Sequence, residues 1–409
     1  MRRQNKGMTH SPKNILIANA FWDQEVPGGS YRIGSDFARY LARKGHSVHY
    51  LCGTREQKLA LDSVVDHGVQ LWRYTMPDGN RFGASKFIAH MFASHRLARH
   101  IFLQGQVDVL NGHSPLQYLG ATLALERPIT CCYSSHSPWP DEMIANGLCS
   151  GMSGGFKLAL ATWIEGWLLR LSTRVQCISE FEASLLQRRY GNRVDGRLRV
   201  VPLWADYGRF AGSGKSRVKA RGQLGGVWSG EAPIFFAVRR LVPRMGLDLL
   251  IEAAAILKRD HLIFRALIGG DGPEHDSLRK LIHQHDVEDR VQLLGPVSEE
   301  NLPLAYRAAD CVVLPSRALE CFGLTILEAY AAGTPVIATP VGAIPEVIEP
   351  GLKSWLTNDV SSFSLADRMK AFLEGRLCAT ESLLQAHARH FDLETRAAAL
   401  GDWLLERFV

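Results

Sequence analysis

Short apolar segments alternate with amphipathic segments along the whole chain, and this alternation restricts the fold more than any other feature. Segments with strand character in the first half are 14–20, 47–52, 69–74, 107–111, 129–134, 174–178 and 198–202. Those in the second half are 234–238, 264–269, 291–294, 311–314, 336–339 and 354–356. Helical periodicity marks the intervening segments 31–44, 246–258, 273–285 and 299–308. This order predicts an α/β protein with two doubly wound, Rossmann-like parallel sheets.

A change in composition separates the two halves. Residues 211–231 are rich in glycine, serine and basic residues and lack an apolar period, which is typical of a linker. We therefore predict a first domain over 1–206 and a second over 207–392, with an amphipathic helix over 393–409 that packs back onto the first. Two such domains bind ligands in the cleft where the carboxyl ends of their strands face each other.

The bulk composition is that of a protein that folds in water. The chain has 409 residues, of which 46% are hydrophobic and 22% are charged. The basic start MRRQNKGMTHSPK is not followed by a secretory apolar core, and no apolar window is long enough to span a bilayer. The eight cysteines form no C-x-x-C pair, which favours reduced, buried thiols. We expect a cytoplasmic protein.

Net charge is unevenly distributed. Residues 1–206 contain 24 Lys and Arg against 16 Asp and Glu, a balance of +8, whereas residues 207–409 contain 23 and 25, a balance of −2. Solvated faces explain such a difference. The alternative is contact of the first half with an anionic partner, such as the inner face of a membrane or a phosphorylated acceptor.

Two glutamates eight residues apart lie where a strand is followed by a helix. Glu320 follows the apolar segment 311–314, and Phe322-Gly323-Leu324 begins a helix in which Glu328 lies about one turn further on. Amides at a helix start bind phosphate, and carboxylates accept hydrogen bonds from sugar hydroxyls. The segment therefore predicts a pocket for a sugar joined to a nucleoside diphosphate.

Other polar residues follow strands in the same way. Arg240 and Arg244 follow segment 234–238, where they would neutralise a diphosphate or form structural ion pairs. His113 and His136 follow two strands of the first domain and are candidates for ligand contacts, with a core or capping role as the alternative. Gly28-Gly29, after the first strand, would admit a phosphate or sugar, or simply make a turn.

Four blocks in this order resemble one enzyme family. The blocks are RRLVPRMG at 239–246, GGDGPE at 269–274, LLGPVS at 293–298, and the glutamate pair with the Gly-Thr-Pro that follows it. Together they resemble the retaining nucleotide-sugar glycosyltransferases of family 4, which have the two-domain GT-B fold. The resemblance extends over nearly the whole chain. It departs at Met245, where the family has a lysine, and at Leu203-Trp204, where it has Asn-Gly.

The resemblance implies roles for individual residues. Glu328 would hold the ribose, Glu320 the transferred sugar, and Arg240 and Arg244 the diphosphate. The implied catalytic residues are His136, Glu320 and Arg240. The implied donor-binding residues are Gly28, Gly29, Arg240, Arg244, Pro296, Val297, Glu320, Cys321, Phe322, Gly323, Leu324 and Glu328. Candidate acceptor contacts are His113, Ser135 and Ser137.

The expected activity is transfer of a sugar from a nucleoside diphosphate, UDP or GDP, to a glycan, lipid-linked or small-molecule acceptor. Because the chain contains no D-x-D triplet, we expect no metal on the diphosphate. We also expect no cofactor and no nucleic-acid partner. A catalytically silent binding protein of the same fold is the alternative. A dinucleotide-dependent oxidoreductase is disfavoured, since no G-x-G-x-x-G follows the first strand. Residues 156–174 are read as a packed helix, with a helix on the membrane surface as the other reading.

Overall fold

The computed structural model describes residues 11–26, 28–56, 63–76, 84–149, 154–211 and 216–406. Its strands form two sheets. The first sheet contains β1 (Asn14–Ala18), β2 (Ser47–Thr54), β3 (Val64–Asp66), β4 (Val69–Thr75), β5 (Val109–Gly112), β6 (Thr130–Ser134), β7 (Arg174–Cys177) and β8 (Leu198–Val200). The second contains β9 (Ile234–Val238), β10 (Arg265–Gly269), β11 (Val291–Gly295), β12 (Cys311–Leu314) and β13 (Val336–Ala338).

Helices connect the strands and cover the sheets. Those in the first half are α1 (Gly29–Arg43), α2 (Ala84–Gln104), α3 (Pro115–Leu123), α4 (Trp139–Ala145), α5 (Gly154–Leu171) and α6 (Glu180–Tyr190). Those of the junction and second half are α7 (Tyr207–Ala211), α8 (Arg217–Leu224), α9 (Leu247–Arg259), α10 (His275–Gln284), α11 (Leu302–Ala308), α12 (Leu324–Ala331), α13 (Ile344–Val347), α14 (Ser362–Leu373), α15 (Glu381–Arg389) and α16 (Leu393–Leu405). Among the described helices, none is both long and apolar enough to cross a membrane.

Both sheets have the doubly wound order that the alternating pattern predicts. The first sheet runs β3-β4-β2-β1-β5-β6-β7-β8, and in its described part only β3 pairs antiparallel. The second runs β11-β10-β9-β12-β13 with parallel pairs. The strand order reverses beside β1 and beside β9, and ligands of such sheets bind where the reversal opens a crevice. The two-sheet α/β prediction is confirmed.

The chain crosses between the two sheets at a junction that is largely apolar. Leu203 and Trp204 are buried, and the Trp204 ring lies 6.1 Å from that of Phe37. Ala205 donates its backbone N–H to the carbonyl of Phe391, 3.0 Å away. Core side chains therefore stand where the resemblance led us to expect an Asn-Gly turn.

The last described helix lies against the first sheet's domain. α16 contacts α1, and Gly401 approaches the side chains of Tyr40 and Leu41. Arg174 of β7 donates to the carbonyls of Trp403 and Glu406. These contacts place the carboxyl-terminal helix on the first domain, while residues 407–409 of the expected helix lie outside the described residues.

Two local predictions are wrong. Within the expected linker, α8 packs on α11, and Arg221 bonds to Asp310 at the end of that helix. The segment shows no apolar period because its buried side chains, Ala220 and Trp228, are eight residues apart. Residues 212–215 of the segment lie outside the described part. Of the expected strand at 354–356, the first two residues end a 3₁₀ helix, Pro350–Trp355, because proline and glycine at its start favour a turn, and Leu356 alone pairs, in an isolated parallel bridge with Ala338.

Candidate active site

The loops that follow β9 and β12 lie side by side at the carboxyl edge of the second sheet. Gly246 has φ 66°, and a Cβ at this position would overlap the carbonyl oxygen of Pro315. Arg317 donates its backbone N–H to the carbonyl of Arg244 at 2.8 Å. Only glycine permits this approach, which brings the arginine-rich loop against the loop that carries Glu320.

Glu320 is held by a buried arginine. Arg239 forms an ion pair with one carboxylate oxygen of Glu320, and Ser316 donates to the same oxygen at 3.1 Å. Both charged side chains are largely buried, at 7% exposure for Arg239 and 13% for Glu320. Burial alone would raise the pKa of Glu320, but Arg239, with smaller contributions from Arg244 and Ser316, outweighs it and lowers that pKa. The carboxylate therefore stays ionised, with its second oxygen available to a ligand.

Arg244 braces the Glu320 loop instead of projecting freely into the cleft. Its Nη1 donates to the carbonyl of Leu319 at 3.1 Å, and its Nε donates to Asn146 of the first domain at 3.1 Å. Leu319 adopts φ 50°, a left-handed conformation that is unfavourable for leucine and is found at functional loops. Arg244 thus stabilises a strained turn next to Glu320.

The start of α12 offers backbone donors between the two glutamates. The amides of Phe322, Gly323 and Leu324 have no acceptor among the described residues. The side chains of Cys321 and Phe322 are buried, so at these two positions a ligand would meet backbone atoms and not side chains. Free amides at a helix start bind anions, here with a carboxylate on either side.

Glu328 is bound from both domains. One carboxylate oxygen accepts from Tyr306 at 2.8 Å, and the other forms an ion pair with Arg32 of α1. Arg32 also lies 3.8 Å from the exposed Glu299. We did not identify Arg32 from the sequence. The sequence feature that could have indicated Arg32 is a cation one turn after the glycine pair, in a helix whose first turn contains no acidic residue.

Gly28 and Gly29 lie opposite the start of α12. A side chain on Gly29 would contact Leu324, so this helix start and that of α12 meet across the cleft. Arg240 lies near this gap. It is exposed, and its guanidinium has no hydrogen-bond or ion-pair partner among the described residues. Burial raises the pKa of Tyr31 in α1, and the nearby Arg240 guanidinium partly offsets this rise. Arg240 is therefore a cation at the cleft whose side chain is available to a ligand.

His113 and His136 form a stacked pair in the first domain. His113 Nδ1 lies 2.9 Å from His136 Nε2, and His113 Nε2 lies 2.9 Å from the amide oxygen of Asn111. Asn111 Oδ1 can only accept, so His113 carries its proton on Nε2 and accepts from His136 at Nδ1. His136 then presents an unprotonated Nδ1. Burial lowers the pKa of His136 to about 4, which keeps it neutral at physiological pH.

The two serines that flank His136 lie next to protein groups. Ser135 is buried and donates to Glu182 at 2.7 Å, whereas Ser137 is half-buried next to Cys321. The Ser135 hydroxyl therefore holds the loop of His136 in place, and acceptor contacts of the two serines stay a prediction.

We expect Glu182 to make the stability of the protein depend on pH. Burial raises its pKa from 4.5 to about 7. The folded state therefore binds a proton more tightly than the unfolded state, and stability falls as pH rises between these values. We expect Glu182→Gln to exceed the wild type in unfolding free energy at pH 8 by on the order of 2 kcal/mol, and to lose this advantage at pH 5. Denaturant unfolding at both pH values measures the difference.

Glu180→Gln is the matched control, because Glu180 lies in the same helix but is exposed. It should unfold like the wild type at both pH values. An unchanged or lower stability of Glu182→Gln at pH 8 would contradict a buried, proton-binding carboxyl group.

The remaining expected positions lie at the edge of the second sheet. Pro296 is exposed and Val297 half-buried just beyond β11, and Val297 packs close to Gly269 at the end of β10. Met245, in the place of the family's lysine, is packed in the core with 6% exposure. None of these three residues brings a charged group to the cleft.

Two family models match the chain. The model described as glycosyl transferases group 1 matches residues 226–389, and the model described as Glycosyltransferase Family 4 matches residues 27–209. The first therefore includes both glutamates, and the second includes the glycine pair and both histidines.

Relatives and solved structures agree with these matches. A D-inositol 3-phosphate glycosyltransferase of Xylanimonas cellulosilytica is 32% identical over 385 residues, 90% of this chain and 89% of that protein. One of Nocardia farcinica is 38% identical over 203 residues, which are 48% of this chain and 44% of that protein. The structure of Anabaena HepE with UDP and glucose superposes with a TM-score of 0.70 at 21% identity, over 96% of this chain and 99% of that chain.

Proposed function

The chain belongs to the group 1 glycosyltransferases of family 4, and on this premise we propose that it transfers a glycosyl unit from a nucleoside-diphosphate sugar to an acceptor with retention at the anomeric carbon. The second domain binds the donor, and the first contributes to the acceptor site. Glu328 holds the ribose, Glu320 the transferred sugar, and Arg240 with the amides of α12 the diphosphate.

The observation that carries this proposal is the start of α12. Unpartnered amides lie there between two carboxylates, each of which is paired with an arginine, Glu320 with Arg239 and Glu328 with Arg32. Phosphate oxygens match the amides, and hydroxyl groups on either side of the diphosphate match the carboxylates. A nucleoside-diphosphate sugar carries these groups in the same order.

The proposed reaction is a front-face displacement. The bond between the anomeric carbon and the β-phosphate oxygen breaks, and the acceptor oxygen forms its bond on the same face. The acceptor proton passes to the departing phosphate oxygen, so no enzymic nucleophile takes part. Arg240 and the helix amides stabilise the negative charge that develops on the leaving group without a metal ion. His136 accepts a hydrogen bond from a sugar hydroxyl at Nδ1.

The donor and acceptor are proposed only by class. HepE was solved with UDP and glucose, and two relatives carry the name D-inositol 3-phosphate glycosyltransferase. These names support a UDP-linked sugar and a polyol phosphate acceptor, and we retain a GDP-linked sugar and a glycan or lipid-linked acceptor within the proposed classes. A thermal-shift panel of UDP, GDP and ADP identifies the base, because the nucleotide that binds the folded state raises its melting temperature.

Glu328→Gln tests the nucleotide site. It removes the charge that ribose hydroxyls and Arg32 both use, so we expect the nucleotide Kd to rise by about 10- to 100-fold, on the scale of one charge-assisted hydrogen bond. Isothermal titration with the nucleotide selected by the panel measures this change.

Glu299→Gln is the control, because it makes the same chemical change beside the same arginine but at an exposed residue. Its nucleotide affinity should equal that of the wild type. Unchanged affinity of Glu328→Gln would refute the ribose site. Tight nucleotide binding without nucleotide release from any sugar donor and acceptor would favour the alternative, a catalytically silent binding protein.

We also propose that the protein works in the cytoplasm and contacts anionic membrane peripherally through its basic first half. The balance of +8 over residues 1–206 supports this location. Residues 1–10, which carry part of that charge, lie outside the described residues.

A further inference from the structure

One side of α5 is apolar but faces solvent. Phe156, Leu160 and Trp163 lie on successive turns of the helix and are 73%, 42% and 65% exposed. The opposite side of the helix, which includes Ala161 and Leu169, is buried against the first domain. α5 is therefore the packed helix that its sequence predicts, and it also presents an aromatic ridge that no described residue covers.

α2 carries a second ridge of the same kind. Ile88 and Phe92 are 48% and 62% exposed on successive turns. α3 lies between α2 and α5 and contacts both, and most of its residues are buried. At Gly120 a side chain would overlap the α2 backbone, so α3 packs closely against α2. The exposed apolar side chains of α2 and α5 thus flank one shallow surface, called here the α2–α5 face.

The charges on the α2–α5 face are basic. Residues 84–104 contain no aspartate or glutamate, and the single acid of α5, Glu165, is buried and bonded to Tyr190. Arg96 continues the ridge of α2, and Lys157 adjoins Phe156; both are exposed. An exposed acid nearby, Glu126, lies 4.0 Å from Arg99 beyond this ridge. Apolar ridges with cations and without free carboxylates match an anionic lipid surface.

The α2–α5 face reaches the mouth of the cleft. α2 leads back to the start of β5 and α5 leads back to the start of β7, so both helices begin at the carboxyl edge of the sheet. Ile88, Phe92, Phe156 and Leu160 all lie in the first halves of these helices. The apolar part of the face is therefore next to the edge that carries His113 and His136.

We propose that the α2–α5 face docks on an anionic lipid bilayer and brings the mouth of the cleft to the membrane surface. The exposed aromatic side chains enter the headgroup region, and Arg96 and Lys157 contact lipid phosphates. If the proposed glycosyl transfer is correct, this position gives the first domain direct access to a lipid-linked acceptor. The docking itself depends only on the surface.

Vesicle co-sedimentation of the full chain tests the proposal. We expect binding to vesicles of phosphatidylcholine with about 30% phosphatidylglycerol, weak binding to phosphatidylcholine alone, and loss of binding in high salt. Phe156→Ser/Trp163→Ser should bind at least about tenfold more weakly, because two exposed aromatic side chains supply much of the inserted apolar area. Arg96→Glu/Lys157→Glu should bind weakly to anionic vesicles.

Phe363→Ser is the matched control, since Phe363 is also 73% exposed but lies in α14 of the second domain. It should bind vesicles like the wild type. Equal binding of wild type and Phe156→Ser/Trp163→Ser overturns the proposal, as does absence of binding to anionic vesicles. A dimer that the double variant breaks, without vesicle binding, would assign the α2–α5 face to a second copy of the chain. Nucleotide binding should be unchanged in every surface variant, so failure of docking is distinguishable from failure of the proposed function.

Discussion

Arg240→Ala should lower kcat by about 10²- to 10³-fold and leave the fold intact. This loss is on the scale measured when one fixed donor to a developing anion is removed. Arg240 is exposed at the cleft and its guanidinium has no partner among the described residues, so its removal unpairs nothing. The free energy of unfolding should stay within about 0.5 kcal/mol of the wild type. Release of nucleoside diphosphate, with the donor that the nucleotide panel indicates, measures kcat.

Arg317→Ala provides the comparison for Arg240. Arg317 is also exposed and lies on the neighbouring loop, but its guanidinium is engaged with Asp248. Its loss should leave kcat within about threefold of the wild type, since no ligand contact is proposed for Arg317. The fold should also stay intact, because an exposed ion pair contributes about 1 kcal/mol or less to stability. Equal activity of Arg240→Ala and Arg317→Ala would refute a phosphate role for Arg240.

Glu320→Ala should abolish transfer and also destabilise the protein. The substitution leaves the Arg239 guanidinium, 7% exposed, without its carboxylate. Removal of one partner of a buried pair costs about 3–5 kcal/mol, because a charge stays buried without compensation. In a domain of this size each kcal/mol corresponds to roughly 2–4 °C, so we expect the melting temperature to fall by about 6 °C or more. Calorimetry and a transfer assay measure the two effects separately.

A double variant separates the two roles of Glu320. Arg239→Ala in the Glu320→Ala background removes the unpaired charge, so it should recover part of the lost stability but none of the activity. The lowered pKa of Glu320 sets the sign of its pH dependence. Its stabilising effect is present above the unfolded value of 4.5 and is lost as pH falls through the lowered value. A melting temperature of Glu320→Ala equal to that of the wild type would contradict the buried pair.

Local pattern was enough to place the two glutamates. The apolar strand before Glu320, the glycine before α12 and the helical spacing to Glu328 are all encoded within a few residues. The same reasoning placed Arg240 and the histidines at the carboxyl ends of strands. Their proposed roles in catalysis stay predictions, because the structure gives their positions and partners and not their ligands.

The choice among neighbouring cations could not be read from the sequence. Arg239, Arg240 and Arg244 look equivalent in RRLVPRMG, yet the first pairs with Glu320, the second has a guanidinium free of partners among the described residues, and the third braces Leu319. Rotation about the loop backbone decides which side chain points inward. The helix in the expected linker was hidden for a related reason, since Arg221 is anchored by Asp310, 89 residues away.

By itself, the sequence determined the fold class, the two sheets and the positions of the polar motifs at strand ends, because burial imposes a period that repeats every two or 3.6 residues. The tertiary structure alone decided which side chains of the site pair with one another. Arg32 meets Glu328 across 296 residues of chain, and His136 receives its tautomer from His113 on another strand. These pairings depend on how the two domains and the strand ends come together. A local periodicity in the sequence contains no information about contacts between residues so far apart in the chain.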